Sequence, residues 1–459
     1  GRQPHMHSIT LPSSLVGFHN YKTEIVTTAS NREMYLLHGE LKGSAEDCLC
    51  PLCGSSMHIH DRCEVTLRHL CFGDKLSCLR FSKLRYYCPR CGHSHMQAVP
   101  FQAQGHRISC ELLNYTRDLL AYGFTNKEVA YITGLGKNTV KDIDLERLKE
   151  KYTVDGERLI QPERQARFLG IDEFKLHDGH KYAVVIIDME TGHILWLAHG
   201  KKKATVYSFI EHVGKEWMEG VEAVASDMNS DFQEAFEEKC PHIQVVFDYF
   251  HIVKNFNDKV VSEIRKDEQK RLLAEGNTEA AKSLKRSRYI LTSSRQTLMK
   301  KDEEAEKGKI LSKSSSLFSK EPVFRKGGHM DRYEELIRQN KLLFTLDLIK
   351  EKLSEAYKMT DEHSMALAIS DIMDMCMATG NKHLLWFRRL LDNHFKGIIA
   401  HATYNISAGK IEGINNKIKT LRRQGYGYPD DDYFFLKLFD ASRKVYVRNP
   451  AAEKIPQDL

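Results

Sequence analysis

Between residues 167 and 247 short apolar runs alternate with polar turns at a spacing that predicts strands. Residues 167–171, 182–188 and 193–199 are apolar or alternating. Asp178-Gly179 and Thr191-Gly192 separate them and are dipeptides suited to hairpin turns. Residues 204–218 then read as a helix, 221–226 as a strand, 231–239 as a helix and 243–247 as a strand. Three strands followed by helix, strand, helix, strand predict an α/β domain that opens on hairpins. Upstream, residues 114–152 read as helices broken at Gly123 and at Gly134-Leu135-Gly136, and residues 19–35 read as a further helix. From Ile252 to about Ala400 the strand signals stop and a long, polar, helical pattern takes over. The Ser- and Lys-rich residues 312–320 read as a flexible connection, and the last helix begins near Lys410.

Composition narrows the class. A chain of 459 residues is too long for one ordinary core, and 41% hydrophobic with 28% charged residues excludes a mainly disordered one. No apolar run approaches the ~18 residues of a membrane span. The N-terminus has no signal-peptide pattern, and Gly1 to His5 ahead of Met6 read as a vector remnant. A cytoplasmic protein with no membrane partner is therefore expected. Sixty-eight Lys and Arg against 62 Asp and Glu leave a net charge of only +6, so placement of charge matters more than its sum. Residues 280–301 hold seven bases (Lys282, Lys285, Arg286, Arg288, Arg295, Lys300 and Lys301) and no acid. Such a run suits sequence-independent contact with nucleic acid.

Nine of the eleven cysteines precede Glu111. Cys50-Pro-Leu-Cys53 and Cys88-Pro-Arg-Cys91 each put two thiolates in one tight turn, and two such turns can close a tetrahedral Zn²⁺ site. Closed four-thiolate coordination leaves no open position, so the zinc expected here is structural. Cys48, His58, His60, His93 and His95 stand as alternative ligands, and buried free thiols or a redox dithiol as alternative readings. After this block, residues 124–130 open a helix and residues 137–143 a second one across Gly134-Leu135-Gly136. Ala130, Ile132, Leu135, Val140 and Ile143 can fill the angle of a helix–turn–helix. Lys137, Asn138, Thr139 and Lys141 would then face a DNA groove.

Asp172 closes the first apolar run and Asp227 the fourth. If those strands are neighbours, both carboxylates emerge side by side, as a site for two Mg²⁺ or Mn²⁺ ions requires. Glu412 offers a third carboxylate. It shares a helical polar face with Asn415, Asn416 and Lys419, which are expected to contact DNA, while Ile411, Ile414 and Ile418 form the apolar face. An Asp at a strand end is also a common helix cap.

This order of elements resembles the ISL3 family of bacterial insertion-sequence transposases across roughly residues 45–440. The resemblance rests on the zinc knuckles, the helix–turn–helix, Ile171-Asp172-Glu173, Ser226-Asp227 and Glu412-Gly413-Ile414-Asn415-Asn416-Lys417-Ile418-Lys419. It implies an RNase H-like mixed α/β core interrupted by a large helical insertion. Asp172, Asp227 and Glu412 would be its Asp-Asp-Glu metal triad, with two catalytic Mg²⁺ or Mn²⁺ ions and one structural Zn²⁺. Asp248-Tyr249-Phe250-His251 resembles the Asp-x-x-His element of related families, with His251 near the scissile phosphate. Arg422, Arg423, Tyr426 and Tyr428 follow the triad helix and suit phosphates and stacked bases.

The implied division is a zinc-binding region at 6–100, a helix–turn–helix domain at 101–160 and a first catalytic part at 161–255. A helical insertion at 256–400 and a final helix with tail at 401–459 complete it. The implied activity is binding of terminal inverted repeats, then metal-dependent cleavage and strand transfer on double-stranded DNA at element ends and target. Transposases of this kind usually act as dimers or larger synaptic assemblies. A DNA-binding regulator with a degenerate core and a structure-specific RNase H-like nuclease are the rival readings.

Overall fold

A computed structural model of the chain describes residues 15–43, 45–179, 181–200, 202–228, 230–312, 323–407, 409–425, 430–445 and 450–454. The chain divides into two compact units, one of residues 1–160 with 424–436 and one of residues 161–423 with 437–459.

The first unit opens on two strands, β1 (Phe18–Thr27) and β2 (Glu33–Leu41), where the sequence predicts a helix over 19–35. The correction has a local cause. Ile25-Val26-Thr27-Thr28 is β-branched throughout, and Asn31 takes a left-handed φ of 60° in the turn that follows. β3 (His58–Phe72) and β4 (Lys75–Tyr87) form a long hairpin. The sheet runs β1-β2-β4-β3, with β5 (Ser94–Met96) added to β4. Leu37, Leu67, Leu79, Phe81 and Phe101 fill its core. α1 (Cys110–Tyr122), α2 (Asn126–Thr133) and α3 (Lys137–Tyr152) bear out the helical reading of 114–152, and the hairpin β6 (Thr153–Val154) and β7 (Arg158–Leu159) follows.

The second unit is built on a mixed sheet of β8 (Phe168–His177), β9 (Lys181–Asp188), β10 (Ile194–His199), β11 (Ala223–Ser226) and β12 (Gln244–Phe247). Its order is β10-β9-β8-β11-β12. β9 runs antiparallel to both neighbours, while β11 is parallel to β8 and to β12. The single helix expected over 204–218 is two, α4 (Lys203–Val213) and α5 (Lys215–Glu219), parted at Gly214. α6 (Ser230–Lys239) connects β11 to β12, and α7 (Tyr249–Phe256) leaves the end of β12.

Helices α8 (Ser262–Ala274) to α17 (His401–Tyr404) form the helical stretch. A small pair, β13 (Ile310–Ser312) and β14 (Val323–Phe324), interrupts it where no strand is predicted. The connection expected at 312–320 lies, from residue 313 on, outside the described residues. The stretch has no core of its own. One buried cluster runs without a break from Leu169, Ile171 and Val224 in the sheet to Phe256, Leu353, Ile372 and Phe387 in the helices. The sheet domain thus becomes large enough to hold a cleft beside it. α18 (Gly409–Gln424) returns onto the sheet, and α19 (Asp431–Ser442) follows. The sequence reading passes over α19, although Asp430-Asp431-Asp432 ahead of Tyr433-Phe434-Phe435-Leu436 is a capping signal followed by an apolar run.

Candidate functional site

Three residues of β8 pair in parallel with three of β11, ending at Gly170 opposite Ala225. Asp172 and Asp227 each stand two residues beyond that last pair, at equivalent places on adjacent parallel strands. β8 does not stop at Asp172, as the sequence suggests, but continues to His177 paired only with β9. Its free edge past Gly170 opens a cleft. The cleft has a volume of about 530 Å³ and is lined by Asp172, Asp227, Glu412, His251, Asn415, Asn416, Lys419 and Arg422, among others.

α18 supplies five of these residues because its apolar stripe is buried as expected, with Ile411, Ile414 and Ile418 at 3–4% exposure. Gly170 sets how closely it approaches. A Cβ there would lie 2.7 Å from Ile411 Cδ1 and 2.5 Å from Met189 Sδ, so any side chain would force one of them to move. Asn415 Nδ2 donates to Asp172 Oδ2 at 2.6 Å, while the Glu173 N–H donates to Asp172 Oδ1 at 2.8 Å. Asn415 therefore holds a carboxylate in place, where the sequence offers it as a DNA contact. Arg422 Nη1 donates to the Lys175 carbonyl at 2.6 Å, and Arg423 is exposed and does not line the cleft. Tyr426 and Tyr428 lie outside the described residues.

His251 lies on the first turn of α7. Asp248 caps this helix, its Oδ1 accepting from the His251 N–H at 3.1 Å, so the Asp-x-x-His spacing is first of all a capping arrangement. The His251 ring nonetheless faces the cleft. Phe250 and Lys254 also line it, and the sequence reading misses both. The signal for Lys254 is its i+3 spacing from His251 on one helical face.

The donor set of three carboxylates with neighbouring side-chain amides suits hard Mg²⁺ or Mn²⁺. Among the described residues, the only group of three or more Cys, His, Asp or Glu ligand atoms within 4.8 Å of one another is Cys50, Cys53, Cys88 and Cys91. The three acids share a cleft without that crowding.

The four cysteines fit zinc closely. Their Sγ atoms approach at 3.5 Å (Cys50–Cys91), 3.6 Å (Cys53–Cys88) and 3.8 Å (Cys53–Cys91). A tetrahedron of Zn–S bonds near 2.3 Å requires about 3.8 Å. The two turns repeat each other: Gly54 N–H donates to the Cys50 carbonyl and Gly92 N–H to that of Cys88, at 2.8 and 2.9 Å. Both glycines take the left-handed conformation, φ 66° and 74°, that such a turn requires. Hydrogen bonding from Ser55 holds the Cys53 thiol below its ordinary range, while thiol neighbours push Cys91 up. Cys48 and the neighbouring histidines are not part of it.

In α2 and α3 the buried angle is filled by Val129, Leu135, Val140 and Ile143, with Ala130 half-buried and Ile132 outside the cluster. Lys137 and Asn138 are exposed and Thr139 is half-buried. Lys141 does not project freely: its Nζ lies 3.1 Å from Asp430 Oδ2 and over the Tyr433 ring. Tyr433 in turn donates to the buried Asp144 at 2.6 Å, and Arg147 completes that network. Asp430 and Tyr433 are thereby fastened to the helix–turn–helix.

The basic run of 280–301 is not one helix but three: α9 (Thr278–Leu284), α10 (Arg288–Thr292) and α11 (Arg295–Glu306). Arg295 is spent internally, on Asp347 at 2.8 Å and Glu351 at 3.1 Å, and Arg288 pairs with Asp258 at 3.1 Å. Lys285 and Arg286 are exposed. No helix among the described residues is long and apolar enough to cross a membrane.

A family model described as "Transposase", that of the ISL3 DDE group, matches residues 169–438, more than half of the chain. The transposase for insertion sequence element IS1001 of Bordetella parapertussis is 26% identical over 400 residues, covering 87% of this chain and 89% of that protein. The transposase for insertion sequence element IS1557 of Mycobacterium tuberculosis (strain CDC 1551 / Oshkosh) is 27% identical over 206 residues, 44% of this chain and 45% of that one.

Proposed function

Because the chain belongs to the ISL3 family of transposases and is a DNA transposase, we propose that the cleft beside β8 and β11 is its strand-cutting centre, with Asp172, Asp227 and Glu412 as an Asp-Asp-Glu triad. The observation that carries this reading is that Asp172 and Asp227 each follow by two residues the last pair of the parallel β8–β11 ladder, with Glu412 lining the same cleft. The strand order β10-β9-β8-β11-β12 with one antiparallel member supports an RNase H-like reading of the core. Divalent ions bound there would supply Lewis-acid stabilisation of the attacking and leaving oxygens of a phosphodiester.

The chain's own residues do the positioning. Asn415 fixes the Asp172 carboxylate. Lys419 and Arg422 offer cations to backbone phosphates on the α18 side of the cleft, and His251 offers a ring nitrogen on the α7 side. Water attacks the phosphorus at the element end and frees a 3′-hydroxyl. That hydroxyl then attacks a target phosphodiester in line, with the second 3′-oxygen leaving. No covalent enzyme intermediate is needed. Cutting both ends of an element calls for two such clefts, which favours a dimeric or larger assembly. The four-cysteine cluster fits a structural role and the helix–turn–helix a role in end recognition. Incubation with Mg²⁺ and labelled element-end DNA is expected to yield both nicked and joined strands. Binding without either product would leave a DNA-binding regulator, and nicking without joining a nuclease.

Lys285 and Arg286 are exposed and unpaired by acids in the same run. Changing both to glutamine is expected to lower the slope of log affinity against log salt by about 2, at about 0.9 per phosphate contact. An unchanged slope removes them from the DNA path.

A further inference from the structure

We propose that the catalytic cleft continues into a second groove that receives unpaired nucleotides of the strand being processed, with Phe250 and Tyr289 as its stacking surfaces. This groove, of about 600 Å³, is lined by Phe250, Lys254, Asn257, Arg286, Arg288 and Tyr289, among others. Phe250 and Lys254 line both cavities, so the two adjoin. The inference rests on the strand-cutting reading for what the first cleft does, but not for what the groove binds.

Four features point to a nucleobase on a charged backbone. Phe250 and Tyr289 are large rings left 50% and 51% exposed inside a concave surface, where burial against protein is the usual outcome. Phe250 is also held in place, its ring edge-on to His251 at 5.6 Å, so it stands at the boundary between cleft and groove. Lys301 Nζ sits 4.0 Å over the Tyr289 ring, which fixes that ring as well. The cations Lys254 and Arg286 are exposed beside the rings, and Arg288 pairs with the half-exposed Asp258. Aromatic faces interleaved with cations bind single strands whatever their sequence, because every base has a π-face and every linkage a charge.

The backbone beneath is unusual at the same place. Residues Asn257–Val261 form a π-helical turn, and Arg286 adopts a left-handed φ of 62°. Both are conformations that cost energy and concentrate at binding sites. A paired duplex cannot present a base face to either ring, so the occupant is a nucleotide already out of the stack.

The test uses the full, zinc-loaded chain with Ca²⁺ in place of Mg²⁺ and no chelator, so that no cleavage intervenes and the four-cysteine cluster keeps its ion. The probes are three fluorescein-labelled oligonucleotides: a blunt duplex of about three helical turns, the same duplex with a single-stranded thymidine tail, and the same duplex with an abasic tail of equal length. The wild type is expected to bind the thymidine tail roughly tenfold or more tighter than the abasic tail, the range for one or two stacked bases. Tyr289→Leu is expected to remove that preference while blunt-duplex affinity stays within about twofold, and Phe250→Leu to remove the preference as well. Tyr289→Phe, which keeps the ring, is expected to retain it. Equal binding of both tails by the wild type, or an undiminished preference in both leucine variants, overturns the proposal. Loss of metal-dependent cutting by the triad variants bears on the strand-cutting reading alone, since nothing in this assay depends on it.

Discussion

Asp227→Ala is expected to lower Mg²⁺-dependent cleavage of element-end DNA at least a thousandfold and to leave duplex binding within about twofold of wild type. The magnitude follows from what a carboxylate does in such a centre. Removing one ligand loses several kcal/mol of stabilisation of the charge that develops on the phosphoryl oxygens, and each 1.4 kcal/mol is about tenfold in rate. Binding is spared because a carboxylate repels phosphate rather than holding it, and the cations expected to hold DNA are other residues. Asp227 stands just past the end of β11 and is half-buried, so its removal opens no core cavity. Gel-shift titration beside a strand-nicking assay checks both halves. Loss of binding in step with cleavage would mean that the residue holds the fold or the DNA rather than the chemistry.

Cys88→Ser is expected to abolish stoichiometric zinc and to unfold one end of the β3–β4 hairpin. Cys50 and Cys88 are almost wholly buried, and with Met57 and Tyr86 they make a cluster too small to persist on its own. The apparent binding energy of a structural zinc, about 10–16 kcal/mol, is as large as the stability of a whole domain. The damage should remain local, because the sheet around Leu37, Leu67 and Phe81 and the core of α1 to α3 are separate clusters. Hydrogen exchange is expected to rise over residues 48–60 and 84–96 with α1–α3 protected, and metal analysis to read one zinc per wild-type chain. Cys48→Ser keeps its zinc. Full retention of zinc by Cys88→Ser would exclude the four-cysteine assignment.

Local chemistry is the part of this structure most legible in the sequence. Two Cys-x-x-Cys-Gly turns contain their own geometry, so four ligands can be named from spacing. The helices at 114–152 are punctuated by glycines at their actual breaks. The strands of the mixed sheet are short apolar runs with turn dipeptides between them. What the sequence does not show is pairing. That Gly170 faces Ala225, and so brings Asp172 level with Asp227, depends on contacts across 55 residues of chain.

The residues misread are of one kind, those whose role is set by a distant partner. Asn415 looks like a surface amide until Asp172 is placed beside it. Lys141 looks like a groove-facing base until Asp430 is found against it. Arg295 looks like part of a DNA-binding run, yet its guanidinium is committed to Asp347. The reading of 19–35 as a helix fails for another reason: it passes over the β-branched run Ile25-Val26-Thr27-Thr28.

The most direct test of the triad is to change the chemistry of one ligand and supply an ion to match. Asp172→Cys places a soft thiolate in a site made for hard oxygen, and Mn²⁺ accepts sulfur more readily than Mg²⁺ does. With labelled element-end DNA, the account predicts no detectable cleavage by this variant in Mg²⁺ and measurable recovery in Mn²⁺, while the wild type cuts in both. Cleavage at the wild-type rate by Asp172→Cys in Mg²⁺ would contradict it.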